Sequence, residues 1–459
     1  MTKTSLSRDS VFYALLALVF MAPLPFGGIL PSAWLPMAMA SGLLLAAFAL
    51  TRLKAGETPP VSLRAWRIPL GLLALAMAWG FLQTLPAFSP GMAHPAWQMA
   101  SEATGVPLTG RISINPGAGR DILLRWMANL AVFWLALNYG RKSGNTRAFL
   151  RTFLLSATAC AVYGLWVEGN GSAMVLGIAK IQYKESLTGI FINKNHAATF
   201  LGLGILCGLS LLASTLASIP STLGRREKIH MIGHALSGWN ALPAACLALL
   251  VPALFLTDSR AGVALTLLAS LFLIVAARLT KSISRTTFLM LLGLALLPVL
   301  GFLLLGNHTN LAQRFGFFGQ DWAIRMNIYE ITLQALGHTP FAGTGLGTFP
   351  DIFRMYHNGL MDGAVTQAHN TYLELALELG IPATLLLLAA GAWPLAICAC
   401  GMAVRQKNRI LPATGMALAL LAGLHSALDF SLQMPGLALA FWALMGACTA
   451  QGWSMRKSI

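Results

Sequence analysis

The chain has 459 residues, 56% of them hydrophobic and only 10% charged. An ordinary soluble domain carries about a quarter charged residues, so composition excludes a soluble globular protein. The net charge of +16 does not signal nucleic acid, because the basic residues sit in short segments between apolar runs, where membrane topology puts them.

Apolar runs near 20 residues recur from end to end, and a run of that length crosses a bilayer as a helix. The sequence predicts an all-α polytopic membrane protein, a single integral membrane domain over 1–459. Twelve spans are expected, at 10–26, 33–51, 67–86, 120–139, 148–167, 195–217, 239–257, 261–278, 286–305, 371–400, 411–428 and 436–453. The first run is read as an uncleaved span, since the Ala38-Met39-Ala40 triplet falls inside the second run. The six cysteines all lie in apolar runs and form no C-x-x-C, so neither a disulfide framework nor a zinc site is expected.

An even number of spans puts both termini on one side. Most Lys and Arg collect there, from Lys3 and Arg8 through Arg52, Arg141, Arg225, Arg278 and Arg405 to Lys457, with only Asp9, Glu57 and Glu227 among the acids. That side is cytoplasmic by the positive-inside rule. A polar loop over 306–370, before the tenth span, then faces outward, into a periplasm if the cell has two membranes. Loops of this length are usually functional. Within it, the apolar spacing of Asp321 to Gly337 suits a helix lying at the membrane surface.

Every even-numbered span begins on the outer side, where free N–H groups and the positive dipole end favour phosphate. The fourth is approached by Arg111, Arg120 and Arg125; Arg125 is either a substrate group or an interfacial anchor. The sixth opens Asn193-Lys194-Asn195-His196, where Asn193 would cap the helix and Lys194 could neutralise a phosphate. The eighth opens Asp258-Ser259-Arg260. Ser259 fits an N-cap. Arg260 stands where a cation opposes the dipole, which invites a functional reason, with pairing to Asp258 as the alternative.

The loop holds Arg325-x-x-x-Tyr329, with Asp321 a possible partner of Arg325, then Gly343-x-Gly345 and Arg354. It closes on Gln367-Ala-His369-Asn370 and, further on, Gly380-Ile-Pro. Thr371 to Glu374 reads as a capping box that fixes the helix start, which would hold His369 at the membrane boundary. Histidine is the usual general base near neutral pH. Gly380 is expected about three turns into the tenth span, where glycine permits close helix contact and Pro382 a kink. His425 and Asp429, four apart, suit a helical pair that supports the site.

These elements, from Gly189 to Gly446, resemble the O-antigen ligase and polymerase superfamily. The resemblance implies a C-type glycosyltransferase-like fold and inverting transfer of a glycan from undecaprenyl diphosphate to a hydroxyl of lipid A–core. It implies catalytic roles for His369, Arg260 and Arg325, and substrate contacts from Lys194, Asn195, His196, Arg125, Arg354 and Asn370. Ser259, Gly343, Gly345, Glu374, Gly380, His425 and Asp429 would support the site. No metal and no cofactor are expected; there is no D-x-D triplet, and arginines would neutralise the diphosphate. A polymerase of O-antigen or exopolysaccharide and a protein O-oligosaccharyltransferase share this donor and differ only in acceptor. A transporter or lipid-linked glycan flippase is the alternative of a different class, but it would place polar groups near the midplane and show repeats.

Overall fold

The computed structural model describes residues 3–219, 224–305, 311–357, 359 and 365–453. In chain order the helices begin with α1 (Lys3–Met21), α2 (Pro31–Lys54), α3 (Arg67–Leu82), α4 (Ala96–Thr104), α5 (Pro116–Tyr139) and α6 (Ser143–Gly169). A short antiparallel hairpin follows, β1 (Met174–Val175) and β2 (Ile178–Ala179). Then come α7 (Lys194–Leu216), α8 (Arg225–Ala235), α9 (Leu242–Leu256), α10 (Arg260–Leu279), α11 (Arg285–Leu305) and α12 (Leu311–His338). The last are α13 (Phe349–Tyr356), α14 (Thr371–Leu379), α15 (Ile381–Val404), α16 (Ile410–Ser426) and α17 (Pro435–Ala450).

Eight helical stretches are long and apolar enough to cross a membrane. Shorter apolar helices, Asp9–Met21, Arg285–Leu297, Ile410–Ser426 and Pro435–Ala450, stand at the other expected spans. The chain is a mostly helical, multi-pass membrane protein. The hairpin is a small departure from an all-α chain. The expected loop start at 306 lies outside the described residues.

Helix α7 is the centre of the bundle. It is apolar on every side, and a helix of that kind must be buried on every side. Almost every residue from His196 to Ala213 is indeed buried, against α6, α9, α10 and α16. The first turn of α7 therefore emerges in the middle of one end of the bundle, the end where α10 and α14 also begin.

The polar loop is more ordered than its composition suggested. Ile328, Ile331 and Ala335 of α12, Phe349, Ile352 and Phe353 of α13, and Ala368 and Leu377 form a separate apolar core. Helix α14 belongs to this assembly, which corrects the expected tenth span. That span does not run 371–400; it is broken at Gly380, and the stretch long enough to cross is Ile381–Val404.

The break is built by the glycine loop. Gly380 has φ +78°, and an added Cβ would lie 2.2 Å from the Phe341 carbonyl oxygen. The close contact that Gly380 permits is thus with this loop, and Pro382 starts α15 instead of kinking a continuous helix. The carbonyls left open at the end of α14 find partners: Thr344 N–H donates to Leu377 at 3.0 Å, and Gly345 N–H to Glu378 at 2.9 Å. Trp79 Nε1 donates to the Leu379 carbonyl at 2.9 Å. Broken backbone inside a membrane protein persists only when such groups are satisfied by protein.

Gly380→Ala should therefore destabilise the fold by about 1–3 kcal/mol, read as a lower thermal midpoint in detergent. Gly391→Ala, whose added Cβ meets nothing within 4 Å, should leave the midpoint unchanged.

Candidate active site

Three helix N-termini converge on one buried residue, Asp429, in the turn between α16 and α17; α7 bonds its carboxylate, α14 its carbonyl, and α10 reaches it through Asn195. Asn195 in the first turn of α7 donates from Nδ2 to Asp429 Oδ2. The same Asn195 accepts at Oδ1 from Ser259 Oγ at 2.8 Å. Ser259 caps α10 by accepting from Gly262 N–H at 3.2 Å, as its position in the sequence implied. Thr371, first residue of α14, donates to the Asp429 carbonyl at 3.2 Å. Asp429 is 1% exposed, and its Oδ1 accepts from Phe430 N–H at 2.7 Å.

Two imidazoles face the same Oδ1. His196 Nε2 lies 3.7 Å away and His369 Nδ1 3.8 Å away, with side chains 4% and 28% exposed. Phe430 separates their rings edge-on, at centroid distances of 4.6 Å and 5.2 Å. His369 is thus the open member of the cluster and His196 the closed one. The expected helical pair of His425 with Asp429 is corrected. Helix α16 ends at Ser426, the Asp429 carboxylate turns away to the other two histidines, and His425 Nδ1 sits 3.3 Å from Ser431 Oγ.

His369 adopts φ +51°, a left-handed conformation that is uncommon outside glycine and clusters at functional sites. Its neighbours hold it there. The Tyr329 hydroxyl donates to the His369 carbonyl at 3.0 Å. Asn370 Oδ1 accepts from Tyr372 and Leu373 N–H, both at 3.1 Å. The expected capping box therefore shifts by one residue: Asn370 is the cap, and Glu374 reaches past it to Ala368 N–H at 2.8 Å. The other Glu374 oxygen accepts from Gln433 Nε2 at 3.0 Å. Glu374 ties the segment before His369 to the segment after Asp429.

The remaining expected residues divide. Arg325 donates to the Leu428 carbonyl beside Asp429 and belongs to the site; the side chain of Asp321 lies outside the described residues. Arg260 follows the cap Ser259; its side chain is exposed and forms no ion pair among the described residues. Gly343 and Gly345 lie in the loop that caps α14, with Gly345 N–H on the Glu378 carbonyl. Lys194 stands over the Tyr183 ring, 5.4 Å from its centroid. Arg125 lies over Trp34 at 4.5 Å, and Arg354 pairs with Asp351 at 3.1 Å. Among the described residues, neither Arg125 nor Arg354 contacts the Asp429 cluster. Arg111 donates to the Thr84 carbonyl.

Sequence reasoning gave Asp429 only a supporting part and assigned no contact to Tyr329, Gln433 or Phe430, which it met only as parts of motifs. One signal was available: Arg325 and Tyr329 are four apart in α12 and share a helix face. Both reach the turn after α16, since Tyr329 also lies 3.5 Å from the Ala427 carbonyl.

Burial alone would raise the Asp429 carboxyl, but His196, then His369 and His425, more than offset it and hold Asp429 below the usual carboxylate range. Burial lowers the His369 imidazole; the Asp429 charge opposes this, while Arg325 and His196 add to it. His369 is therefore neutral near pH 7. The Asp429 charge on the Nδ1 side favours the tautomer with its proton on Nδ1, which leaves the lone pair on Nε2. The arrangement can accept a proton at an open face, beside an arginine and three dipole ends suited to an anion.

Replacing Asp429 by Asn removes the one charge that raises His369. The His369 pKa should then fall further, which NMR titration of histidine-labelled protein in micelles would follow. A rise would mean that water entering the altered pocket outweighs the lost charge.

No curated protein matches the chain. Residues 245–388 match the family model for O-antigen ligase. The matched stretch runs from within α9 to within α15 and carries Arg260, Arg325 and His369, while Asn195, His196 and Asp429 lie outside it. Over that stretch, about a third of its length, the chain is similar to the O-antigen ligase family.

Proposed function

We propose that the protein is an O-antigen ligase-type glycosyltransferase that moves a glycan from undecaprenyl diphosphate to a hydroxyl of lipid A–core. The observation that carries this reading is His369, held in a left-handed turn against the buried Asp429 and open to the end of the bundle. In the proposed reaction His369 Nε2 takes the acceptor hydroxyl proton, and the freed oxygen attacks the anomeric carbon from the face opposite the diphosphate. The bond from that carbon to the phosphate oxygen breaks, the configuration inverts, and undecaprenyl diphosphate leaves with both bonding electrons. Arg260 and Arg325 match the charge that builds on it. The donor is already activated by its leaving group, so the reading runs without metal or cofactor.

An apolar lateral groove supports a lipid donor. Leu247, Val251 and Phe255 of α9, Val263 of α10 and Leu294 of α11 line it, and Val263 lies one turn from Arg260. A diphosphate at Arg260 would place its polyprenyl chain in reach of this groove. We read the bundle as twelve spans in an inner membrane, with both termini cytoplasmic and the site periplasmic, on the distribution of Lys and Arg.

Purified protein given undecaprenyl-diphosphate glycan and lipid A–core in EDTA should form the joined product. Chain growth on the donor alone would make it a polymerase with the same chemistry. Transfer only to a protein Ser or Thr would make it a protein glycosyltransferase. Loss of transfer in EDTA would overturn the metal-free reading.

His369→Ala should bind donor lipid normally while transfer falls on the order of 100-fold or more. Arg260→Ala and Arg325→Ala should each lower turnover by roughly 100-fold. Near-normal turnover in any of the three would remove that residue from the reaction.

A further inference from the structure

The β1–β2 hairpin, between α6 and α7, is apolar where a solvent-exposed turn would be polar. Met174, Leu176, Ile178 and Ile181 are all exposed, Ile181 by 91%. Val175 pairs with Ile178, and the two residues between them, Leu176 and Gly177, have φ of +47° and +83°. A two-residue turn with both φ positive favours Asn-Gly or Asp-Gly. Leucine is disfavoured in the left-handed region, where its Cβ crowds the following carbonyl. The chain carries that cost to put an isobutyl group at the tip, which serves no purpose in water.

The height of the tip is set by one hydrogen bond. Leu176 N–H donates to the Tyr163 hydroxyl at 2.6 Å. Tyr163 lies under two turns before Gly169, the end of α6, or about 9 Å down its axis. Helical side chains tilt back toward the N-terminus, and α6 runs toward the site end, so the hydroxyl stands no higher than its own Cα. The hairpin therefore folds down beside the last turns of the helix instead of standing above them. The adjoining face of α6 is also apolar and open, through Leu155, Val162 and Trp166. Trp166 contacts Tyr163, with ring centroids 6.2 Å apart, and tryptophan at the end of a spanning helix marks the headgroup level.

Lipid disfavours open backbone groups and free charge, and several groups of the hairpin that would meet it are satisfied within the protein. Its strands pair with each other, Leu176 N–H has Tyr163, and Lys180 N–H donates to the Ala173 carbonyl at 2.7 Å. Lys180, the only charged residue in 174–181, turns its ammonium inward to the Ser186 carbonyl at 3.0 Å.

We infer that the 174–181 hairpin dips into the bilayer, with its tip among the acyl chains of the leaflet on the site side. The inference rests on α6 as a spanning helix and not on the transfer chemistry. The hairpin leads straight into the site: Ser186 Oγ donates to Asp258 at 3.3 Å, and Leu187 N–H to the Leu256 carbonyl at 2.8 Å. Lipid holding the tip would thereby fix the height of the α7 and α10 N-termini against the membrane surface, where a lipid-linked diphosphate sits.

The test uses the full chain in lipid nanodiscs. Of the six cysteines only Cys400 is exposed, so Ile178→Cys, in a Cys400→Ala background, gives a single accessible label site. Ile181→Cys provides a second, and Glu185→Cys, also exposed, a control on the same segment. An environment-sensitive fluorophore at 178 and 181 should be quenched by doxyl-labelled phosphatidylcholine at least about threefold more than at 185. Aqueous iodide should show the reverse order. Iodide quenching at 178 and 181 equal to that at 185 would place the hairpin in water and overturn the inference. Protection from both quenchers would mean that protein covers the tip, which overturns it as well.

Discussion

The structure of the site depends on one buried charge. Asp429 is almost fully withdrawn from solvent, and an unmatched carboxylate in that position would cost several kcal/mol. It is matched in three ways. Asn195 and the Phe430 amide donate to it, two imidazoles approach the same oxygen, and α7, α10 and α14 begin around it with their positive dipole ends. The contacts come from the start of α7, from the segment before α14 and from the turn itself. Ordering the carboxylate therefore orders the ends of three helices, and it leaves His369, the partner with an open face, oriented by its Nδ1. A hydrogen bond to the charged form and an aligned dipole both favour ionisation, so the carboxylate keeps its charge although burial acts against it.

The second constraint is the break at Gly380. A continuous helix from Thr371 to Val404 would carry α14 into the bundle and away from α12 and α13. The break lets α14 share a core with them, while its last carbonyls are capped by the glycine loop. Glu374 acts at the other end of the same short helix, where it joins Ala368 and Gln433. The left-handed His369 thus sits between an Asn370 cap, a Tyr329 hydroxyl and a Glu374 tether. Strain of about 1–3 kcal/mol in such a residue is stable only because these three contacts over-determine it.

Much of this was legible in the sequence, and the reasons are physical. Apolar run length reports a spanning helix directly, so helices stand at each expected span, and Ser259 and Asn193 cap the helices they were expected to cap. Arg325 and His369 announced themselves through their loop context. The break at Gly380 was misread, because a glycine and a proline inside an apolar run look alike whether they kink a helix or end it. The choice is made by the Phe341 to Gly345 loop, some forty positions earlier in the chain. Asp429 was undervalued for a similar reason: its spacing to His425 fits a helix, whereas its true partners lie on α7 and before α14. Arg125 and Arg354 were chosen by residue type and position, and packing places one over Trp34 and the other beside Asp351.

The arginines explain why the site is suited to an anion that it does not itself contain. A cation in the first turn of α10 opposes the helix dipole by about 0.3–1 kcal/mol, a local penalty for Arg260 that no ion pair among the described residues relieves. Asp429 does not relieve it either, since its oxygens are taken by Asn195, Phe430 and the imidazoles. A charge-assisted hydrogen bond to a phosphate oxygen contributes about 1.5–3 kcal/mol, enough to reverse the sign. The same helix end that disfavours Arg260 alone favours a diphosphate bound beside it. Under the proposed transfer the charge on that diphosphate grows as the glycosidic bond breaks. A positive site left unmatched in the resting protein gains most at that moment, and this is the differential stabilisation that a transferase requires.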